Sequence, residues 1–307
     1  MTERILVIKL AALGDFVQAF GPFAAIRARH PGAHITLLTT PPFAGLAKAA
    51  PWFDAVWTDG RPDWLDLRAV ARLALRLRRV GFTRVYDLQT SSRSSRYRLF
   101  VGGAAEWSGI ARGASHAHAD PMRDHIHTVE RQRGQLIVAG IRDFPNPALD
   151  WLNSDVENFH LPEGFALILP GASAARPGKR WPTPNFAQLA AGLCMPVVIC
   201  GGPSELPLAR EILATLPQAL DLTGRTDLRQ LAAVARQARL AVGNDSGPTH
   251  LAAASGCPTL ALFGDESDPA LCAPRGRAVQ ILRHSPLDAL GVEEVLHSTL
   301  ALSTGGA

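Results

Sequence analysis

Arg4-Ile-Leu-Val-Ile-Lys-Leu-Ala-Ala-Leu-Gly-Asp15 is a short β-branched and leucine-rich run that gives way to small residues and a glycine. Such a run reads as a strand entering a tight turn, and the residues from Phe16 to about Arg29 continue it as a helix. Strand, glycine turn and helix in that order open a Rossmann-like unit. His34–Thr39 and Ala55–Thr58 read as further strands, Leu65–Val80 as a helix and Arg84–Leu88 as a strand. Asp143–Gly164 holds three prolines, several polar turn formers and no sustained period, the composition of a linker. A second alternation follows, with strands at Phe165–Leu169, Pro196–Cys200, Leu240–Val242, Thr259–Phe263 and Val279–Leu282. Its helices fall at Asn185–Leu193, Leu206–Leu216, Leu228–Ala238, Thr249–Ser255 and about Pro286–Leu302. The expected class is α/β, with two Rossmann-like domains at residues 1–152 and 153–307 facing each other across a cleft at the carboxyl edges of their strands.

The length of 307 residues is about twice that of an ordinary domain, and 47% apolar against 19% charged residues excludes a disordered chain. No apolar run reaches the roughly 18 residues of a spanning helix. Lys9 and Asp15 interrupt the start too early for a secretory signal, so a cytoplasmic location is expected. Cys194, Cys200, Cys257 and Cys272 form no CxxC pair and read as reduced, mostly buried thiols. Charge is uneven: residues 1–150 carry 20 Lys+Arg against 13 Asp+Glu, and residues 151–307 carry 11 against 14. The first half is therefore the one expected to meet an anion. It lacks an aromatic-interleaved basic patch, so nucleic acid is not an expected partner. Only Lys9, Lys48 and Lys179 are lysines among 31 basic residues.

Val242-Gly-Asn-Asp-Ser-Gly-Pro-Thr-His250, followed by Leu-Ala-Ala-Ala254, carries the most chemistry. A strand ends, the chain turns through Gly243 to Gly247, and a helix begins near Pro248, whose fixed φ suits a first helical position. Free amides of that first turn beside the Ser246 and Thr249 hydroxyls would seat a phosphate. The competing reading is an ordinary helix capped by Asp245 or Ser246.

Asp245-Ser-Gly-Pro-Thr-His250 with the alanines after it, and Cys257-Pro-Thr-Leu-Ala-Leu-Phe-Gly264, resemble the donor-binding signature of glycosyltransferase family 9, which includes the ADP-heptose:lipopolysaccharide heptosyltransferases. Ile5–Asp15 resembles that family's opening strand and catalytic turn, and Pro170-Gly-Ala-Ser173 with Lys179-Arg-Trp-Pro182 resembles its mid-chain phosphate loop. Asp87-Leu-Gln89 and Leu222–Leu228 also fit, so the likeness spans nearly the whole chain. Two departures touch the donor side: a longer stretch between Ser173 and Lys179, and Gly264-Asp-Glu-Ser-Asp-Pro269 in place of a tighter turn.

The resemblance implies a GT-B arrangement and inverting, metal-independent transfer of heptose from ADP-heptose to an anionic lipopolysaccharide core acceptor. No cofactor is implied. Asp15 matches the general base, which accepts the proton of the attacking hydroxyl; the alternative is that it caps the helix beginning at Phe16. Lys179 is the candidate partner of the departing diphosphate, because an ammonium on a flexible stem follows moving charge; otherwise it is an exposed loop lysine. The other expected donor contacts are Lys9, Ser173, Glu205, Asp245, Ser246, Gly247, Pro248, Thr249 and His250. Lys9 could equally be an end-of-strand charge, and Glu205 could cap the following helix rather than meet a ribose.

Acceptor contacts are expected from Arg93 and Arg96, beyond the strand ending near Leu88, and from His127 on a polar loop. Arg68, Arg72, Arg76 and Arg79 share one helix face, either a solvated stripe or a surface that approaches anionic headgroups of the inner membrane. His116, His118, His125 and His127 lack a third ligand at metal spacing, so no metal site is expected. The rival readings are a transferase using another nucleotide sugar or acceptor, and a nucleotide-binding protein without turnover. A NAD-dependent oxidoreductase is disfavoured because Leu-Gly-Asp15 stands where G-x-G-x-x-G would be needed.

Overall fold

The computed structural model describes residues 2–304, and the chain divides into two compact units between Trp151 and Leu152, one residue before the expected division. In the first unit the strands are β1 (Arg4–Ile8), β2 (His34–Leu38), β3 (Ala55–Trp57), β4 (Arg84–Asp87), β5 (Glu106–Gly109) and β6 (His116–Ala117). Among the described residues they form one parallel sheet in the order β3-β2-β1-β4-β5-β6. The helices are α1 (Leu13–Val17), α2 (Phe20–Arg29), α3 (Ala44–Ala49), α4 (Leu67–Val80), α5 (Ser92–Val101) and α6 (Thr128–Val138). Central strands such as Ile5–Ile8 are fully buried, as a parallel sheet covered on both faces requires. Leu73 and Leu77 of α4, with Tyr97 and Val101 of α5, close one core against Leu6, Ile8, Val85 and Trp107.

The second unit repeats the plan. Its strands are β7 (Ala166–Leu169), β8 (Val197–Ile199), β9 (Leu220–Asp221), β10 (Leu240–Asn244), β11 (Thr259–Phe263) and β12 (Val279–Arg283). They form a parallel sheet ordered β12-β11-β10-β7-β8-β9. Around it lie α7 (Thr183–Gly192), α8 (Leu206–Thr215), α9 (Leu228–Gln237), α10 (Gly247–Ala254), α11 (Pro269–Cys272) and α12 (Val292–Thr304). Numbered within each unit, both sheets run 3-2-1-4-5-6, the Rossmann order. The strand order reverses between β1 and β4 in the first unit and between β7 and β10 in the second.

Several expected elements are redrawn. The helix expected over Phe16–Arg29 is two, α1 and α2, broken at Gln18–Ala19: Pro22 has no N–H for the Gln18 carbonyl and its ring crowds that position, so a new helix starts at Phe20. The helix expected from Leu65 starts at Leu67, because the Asp66 carboxylate accepts from Ala69 N at 2.9 Å and caps it. The last helix is a 3₁₀ turn at Leu287–Ala289 and then α12, separated by Leu290 and Gly291. The polar loop expected around His116–His127 contains β6 and runs into α6. Of the four thiols, Cys200 and Cys257 are buried, Cys194 is exposed and Cys272 lies between.

Candidate functional site

Each sheet places a polar cluster at its reversal point. In the second unit β10 ends at Asn244, which is fully buried and ties three segments together. Its Nδ2 donates to the Pro170 carbonyl after β7 (2.8 Å), and its Oδ1 accepts from Trp181 N (3.0 Å). Trp181 is buried and donates its indole N–H to the Leu290 carbonyl (2.9 Å), which anchors the loop carrying Lys179. Gly264 and Gly178 complete that anchor. A Cβ on Gly264 would lie 2.4 Å from the Gly178 carbonyl oxygen, and Gly178 N donates to Glu266 Oε1 at 3.2 Å. The turn at Gly264–Pro269 thus supports the loop that carries Lys179.

Lys179 is not a solvated loop residue. Its side chain is 12% exposed and its Nζ donates to Asp245 Oδ2 at 2.5 Å. Ser267 Oγ donates to the same oxygen (2.6 Å), and His250 Nε2 lies 3.5 Å from Asp245 Oδ1. Burial alone would raise the Asp245 pKa, but the hydrogen bonds of His250, Lys179 and Ser267 outweigh it and hold the carboxyl down to about 2. Asp245 therefore does not cap α10. The N-cap position belongs to Ser246, whose side chain makes no capping bond; its hydroxyl lies 3.2 Å from Thr249 Oγ1, which donates to the Asn244 carbonyl (2.7 Å). No side chain caps the first turn of α10, where Pro248 has no N–H, so the Gly247 and Thr249 N–H groups have no capping partner among the described residues.

Gly243 packs against Thr249 and Leu169 so closely that a Cβ would meet the Thr249 hydroxyl at 2.5 Å. Glu205 lies over the ends of β7 and β8, its side chain filling the space that Gly171 and Gly201 leave open. Its Oε2 accepts from Gly202 N (2.8 Å) and its Oε1 from Ser204 Oγ (2.7 Å), so it closes its own turn and does not cap α8. Ser173 is exposed on the loop after β7, where Arg180 grips the Ala172 carbonyl.

In the first unit a small concavity opens where β1 and β4 end, lined by Lys9, Asp15, Leu88, Gln89, Thr90, Arg131, Gln132 and Gln135. Asp15 is half-buried at the third position of α1, where its Oδ2 accepts from the N-cap backbone of Ala12 at 3.4 Å, so it does not cap a helix beginning at Phe16 but closes the first turn of α1 from within. Gln89 Oε1 accepts from Leu10 N (2.7 Å) and Ala11 N (3.0 Å) and holds the segment that leads to Asp15. Lys9 is buried and donates to the Leu88 carbonyl (3.1 Å); burial lowers its pKa against the opposing pull of Asp15 and Asp87, with Arg131 adding to the lowering. Burial pushes Asp87 up to about 7, against Ser94, the backbone N–H groups of Thr90 and Gln89, and Lys9. Thr90 has φ 45°, an uncommon conformation for a β-branched residue, and its N–H donates to Asp87 Oδ1 (3.1 Å).

Arg93, Arg96 and His127 are not among the residues lining this concavity. Arg93 donates to the Pro62 carbonyl (2.6 Å), and both arginines lie over the Trp64 ring at 4.6 and 5.5 Å. His127 is not a loop residue: it is buried at the N-cap of α6, where Nδ1 accepts from Val129 N at 3.2 Å. The residues that sequence reasoning missed are Arg131, Gln132 and Gln135. Gln135 donates to the Asp87 carbonyl (3.0 Å). Gln132 is buried with neither amide atom partnered among the described residues. Thr128, Gln132 and Gln135 recur at helical spacing, a signal hidden because the buried face is polar. Among the described residues no group of three His, Cys, Asp or Glu side chains could hold a metal ion, and no helix is long and apolar enough to cross a membrane.

Residues 70–290 match the family described as glycosyltransferase family 9 (heptosyltransferase). The chain belongs to that family. Lipopolysaccharide heptosyltransferase 2 of Escherichia coli is 27% identical over 91% of this chain and 88% of its own length. Lipopolysaccharide heptosyltransferase 1 of Pseudomonas aeruginosa is also 27% identical, over 90% and 82%. The solved E. coli ADP-heptose lipopolysaccharide heptosyltransferase II is similar with a TM-score of 0.79 and 25% identity, covering 98% of this chain and 99% of that one. A family 9 glycosyltransferase from Veillonella parvula shares the fold with a TM-score of 0.84 at 21% identity, covering 99% and 98%. Family 9 members are glycosyltransferases, so this chain is a transferase with two Rossmann-like units.

Proposed function

We propose that the protein transfers heptose from ADP-heptose to an anionic lipopolysaccharide core acceptor by an inverting, metal-independent displacement. The observation that carries this reading is the buried Lys179–Asp245 pair beside the uncapped start of α10, at the reversal point of the second sheet. A lysine oriented by a carboxylate and a helix start open to an anion together suit a diphosphate. The relatives' names supply the nucleotide and the sugar.

In this reading the second unit binds the donor and the first unit the acceptor. Asp15 takes the proton of the acceptor hydroxyl as that oxygen attacks the anomeric carbon. The bond from that carbon to the diphosphate breaks with inversion, and the negative charge passes to ADP, where Lys179 and the α10 amides neutralise it. Lys179 has three N–H donors and gives one to Asp245, so two are left for phosphate oxygens. Asp245 then acts through Lys179 rather than by touching the donor, and His250 and Ser267 hold Asp245. Ser173, Ser246, Gly247, Pro248 and Thr249 border the diphosphate, Glu205 the ribose, and Lys9 orients Asp15. Arg131 and Gln132 face the acceptor in the same concavity as Asp15. Arg93, Arg96 and His127 support the acceptor side from α5 and α6. The setting is the cytoplasmic face of the inner membrane.

The test is a screen of nucleotide sugars by calorimetry, followed by mass detection of product on a deacylated core acceptor. Asp15→Asn is expected to lower kcat by on the order of 10²-fold or more with ADP affinity unchanged, because a general base acts in the transition state alone. Near-parental turnover by a folded variant would remove Asp15 from the chemistry. Activity should survive EDTA; loss with recovery on added Mg²⁺ would overturn metal independence.

A further inference from the structure

Helices α4 and α5 together carry eight arginines and no Asp or Glu. An ordinary solvated face mixes the two signs. On α4 the buried residues are Leu73 and Leu77, and at 100° per residue the opposite side presents Arg68, Arg72, Leu75 and Arg79. Arg76 leaves the stripe expected from the sequence: it pairs with Asp59 at 3.2 Å and stacks on Trp57 at 3.7 Å. The nearby carboxylates Asp63 and Asp66 are turned to backbone, accepting from Leu65 N and Ala69 N.

Large apolar side chains stand among these arginines. Leu65 is 89% exposed, Leu67 74%, Leu75 54% and Leu99 of α5 73%. A single exposed leucine needs no explanation, but four of them in a layer with Arg68, Arg72 and Arg79, which have no ion-pair partner among the described residues, do. Both helices bury their inner faces in one core on the same side of the first sheet, so their outer faces lie in one layer. A protein partner of ordinary composition would meet this layer with mixed charge. A surface of anionic headgroups over hydrocarbon answers both features, with phosphates for the guanidinium groups and the acyl boundary for the leucines.

We propose that the outer layer of α4 and α5, with the Trp64–Leu67 turn, docks on an anionic lipid bilayer. This goes beyond the transfer reaction and can hold or fail without it. The measurement is co-sedimentation of the full chain with phosphatidylcholine vesicles and with equimolar phosphatidylcholine–phosphatidylglycerol vesicles. The chain should bind the anionic vesicles only, and less tightly as salt rises.

Arg68→Gln/Arg72→Gln/Arg79→Gln should weaken that binding by on the order of 100-fold, at about fivefold per arginine near the surface. Arg68→Lys/Arg72→Lys/Arg79→Lys should retain most of it. Leu65→Ser/Leu67→Ser/Leu99→Ser should weaken it at least about tenfold and leave the remainder more salt-sensitive. Arg210→Gln/Arg275→Gln/Arg277→Gln removes the same charge from exposed positions in the second unit and should change binding only a few-fold. ADP affinity, measured on every variant, should match the parent and so report a folded second unit, while the circular dichroism melt reports the first. Three results overturn the proposal: no binding by the parent, an equal loss in the control variant, or a monomer–dimer equilibrium abolished by the same leucine changes without any effect of lipid.

Discussion

The Lys179–Asp245 pair offers the sharpest quantitative test of the site. Asp245 is held at about 2 from an ordinary value of 3.8, so its ionised form is favoured in the folded state by about 2 kcal/mol at 1.36 kcal/mol per unit. The sign follows from linkage. A depressed carboxyl pKa stabilises the fold fully above the unfolded value near 4, and that stability is lost as pH falls from about 4 to about 2. Asp245→Asn removes this limb and leaves Lys179, 12% exposed, without its counter-charge. Breaking one side of a buried pair costs roughly 3–5 kcal/mol when nothing replaces it. An asparagine oxygen can still accept from Lys179 and Ser267, so about 2–3 kcal/mol is expected at pH 7.

The assay is urea unfolding of the parent, Asp245→Asn, Lys179→Met and the double variant. It is read by hydrogen exchange on peptides from β7, β10 and α10, so that the second unit is followed by itself. The double-mutant cycle should return a coupling of about 2 kcal/mol at pH 7 that falls towards zero near pH 2. A coupling below about 0.5 kcal/mol at pH 7 would show that the pair is no more than a surface ion pair, and the argument that Asp245 orients Lys179 would fall with it.

Lys179→Ala should weaken ADP binding and lower kcat together, with Lys179→Arg restoring only part because a guanidinium fork does not follow a moving phosphate as an ammonium does; calorimetry and initial rates separate the two effects. Gly243→Ala should cost about 1–3 kcal/mol or more in urea melts, since its Cβ would meet Thr249 Oγ1 at 2.5 Å and Leu169 Cβ at 2.7 Å in a buried strand end. Asp87, raised to about 7, favours the folded state most when protonated, so it makes stability fall as pH rises from about 4 to about 7; Asp87→Asn should flatten that fall in melts across the window. Arg131→Gln and Gln132→Leu should raise acceptor KM at least about tenfold with ADP affinity unchanged, and more than Arg93→Gln/Arg96→Gln, whose side chains are already engaged by Pro62 and Trp64.

The central strands were legible because a parallel sheet buried on both faces writes itself as uninterrupted apolar runs, as in Ile5–Ile8 and Leu240–Val242. Three other elements were not. β6 has two residues, with little room for an apolar period. In α5 the buried positions are Ser94, Tyr97 and Val101, scattered through a serine–arginine run with no apolar period, so no element is expected there from sequence. In α6 the buried face is Thr128, Gln132, Gln135 and Leu136, and polar residues at core positions erase the pattern on which the reading depends. The two glutamines differ in what they meet: Gln135 spends its amide on the Asp87 carbonyl, while Gln132, unpartnered among the described residues, lines the concavity with Asp15.

Four candidate residues each began with a plain structural alternative, and the structure separates them by what each side chain touches. Asp15 keeps a capping contact, a long one to Ala12 N from within the first turn of α1, while also lining the concavity; Ser246 occupies an N-cap position without capping. Glu205 does close a turn, yet it does so packed against Gly171 and Gly201 at the ends of β7 and β8. Lys179 gave the largest reversal. An exposed loop lysine would spend nothing on position, whereas this one is fixed through its own loop by Trp181, through the turn after β11 by Gly264 and Glu266, and at the ammonium by Asp245. Sequence could name Lys179 as one of three lysines in an arginine-rich chain, but not the carboxylate 66 positions away that orients it. Parallel sheets bring such distant residues together at the reversal point, because the two strands adjacent there, β7 and β10, are far apart in the chain.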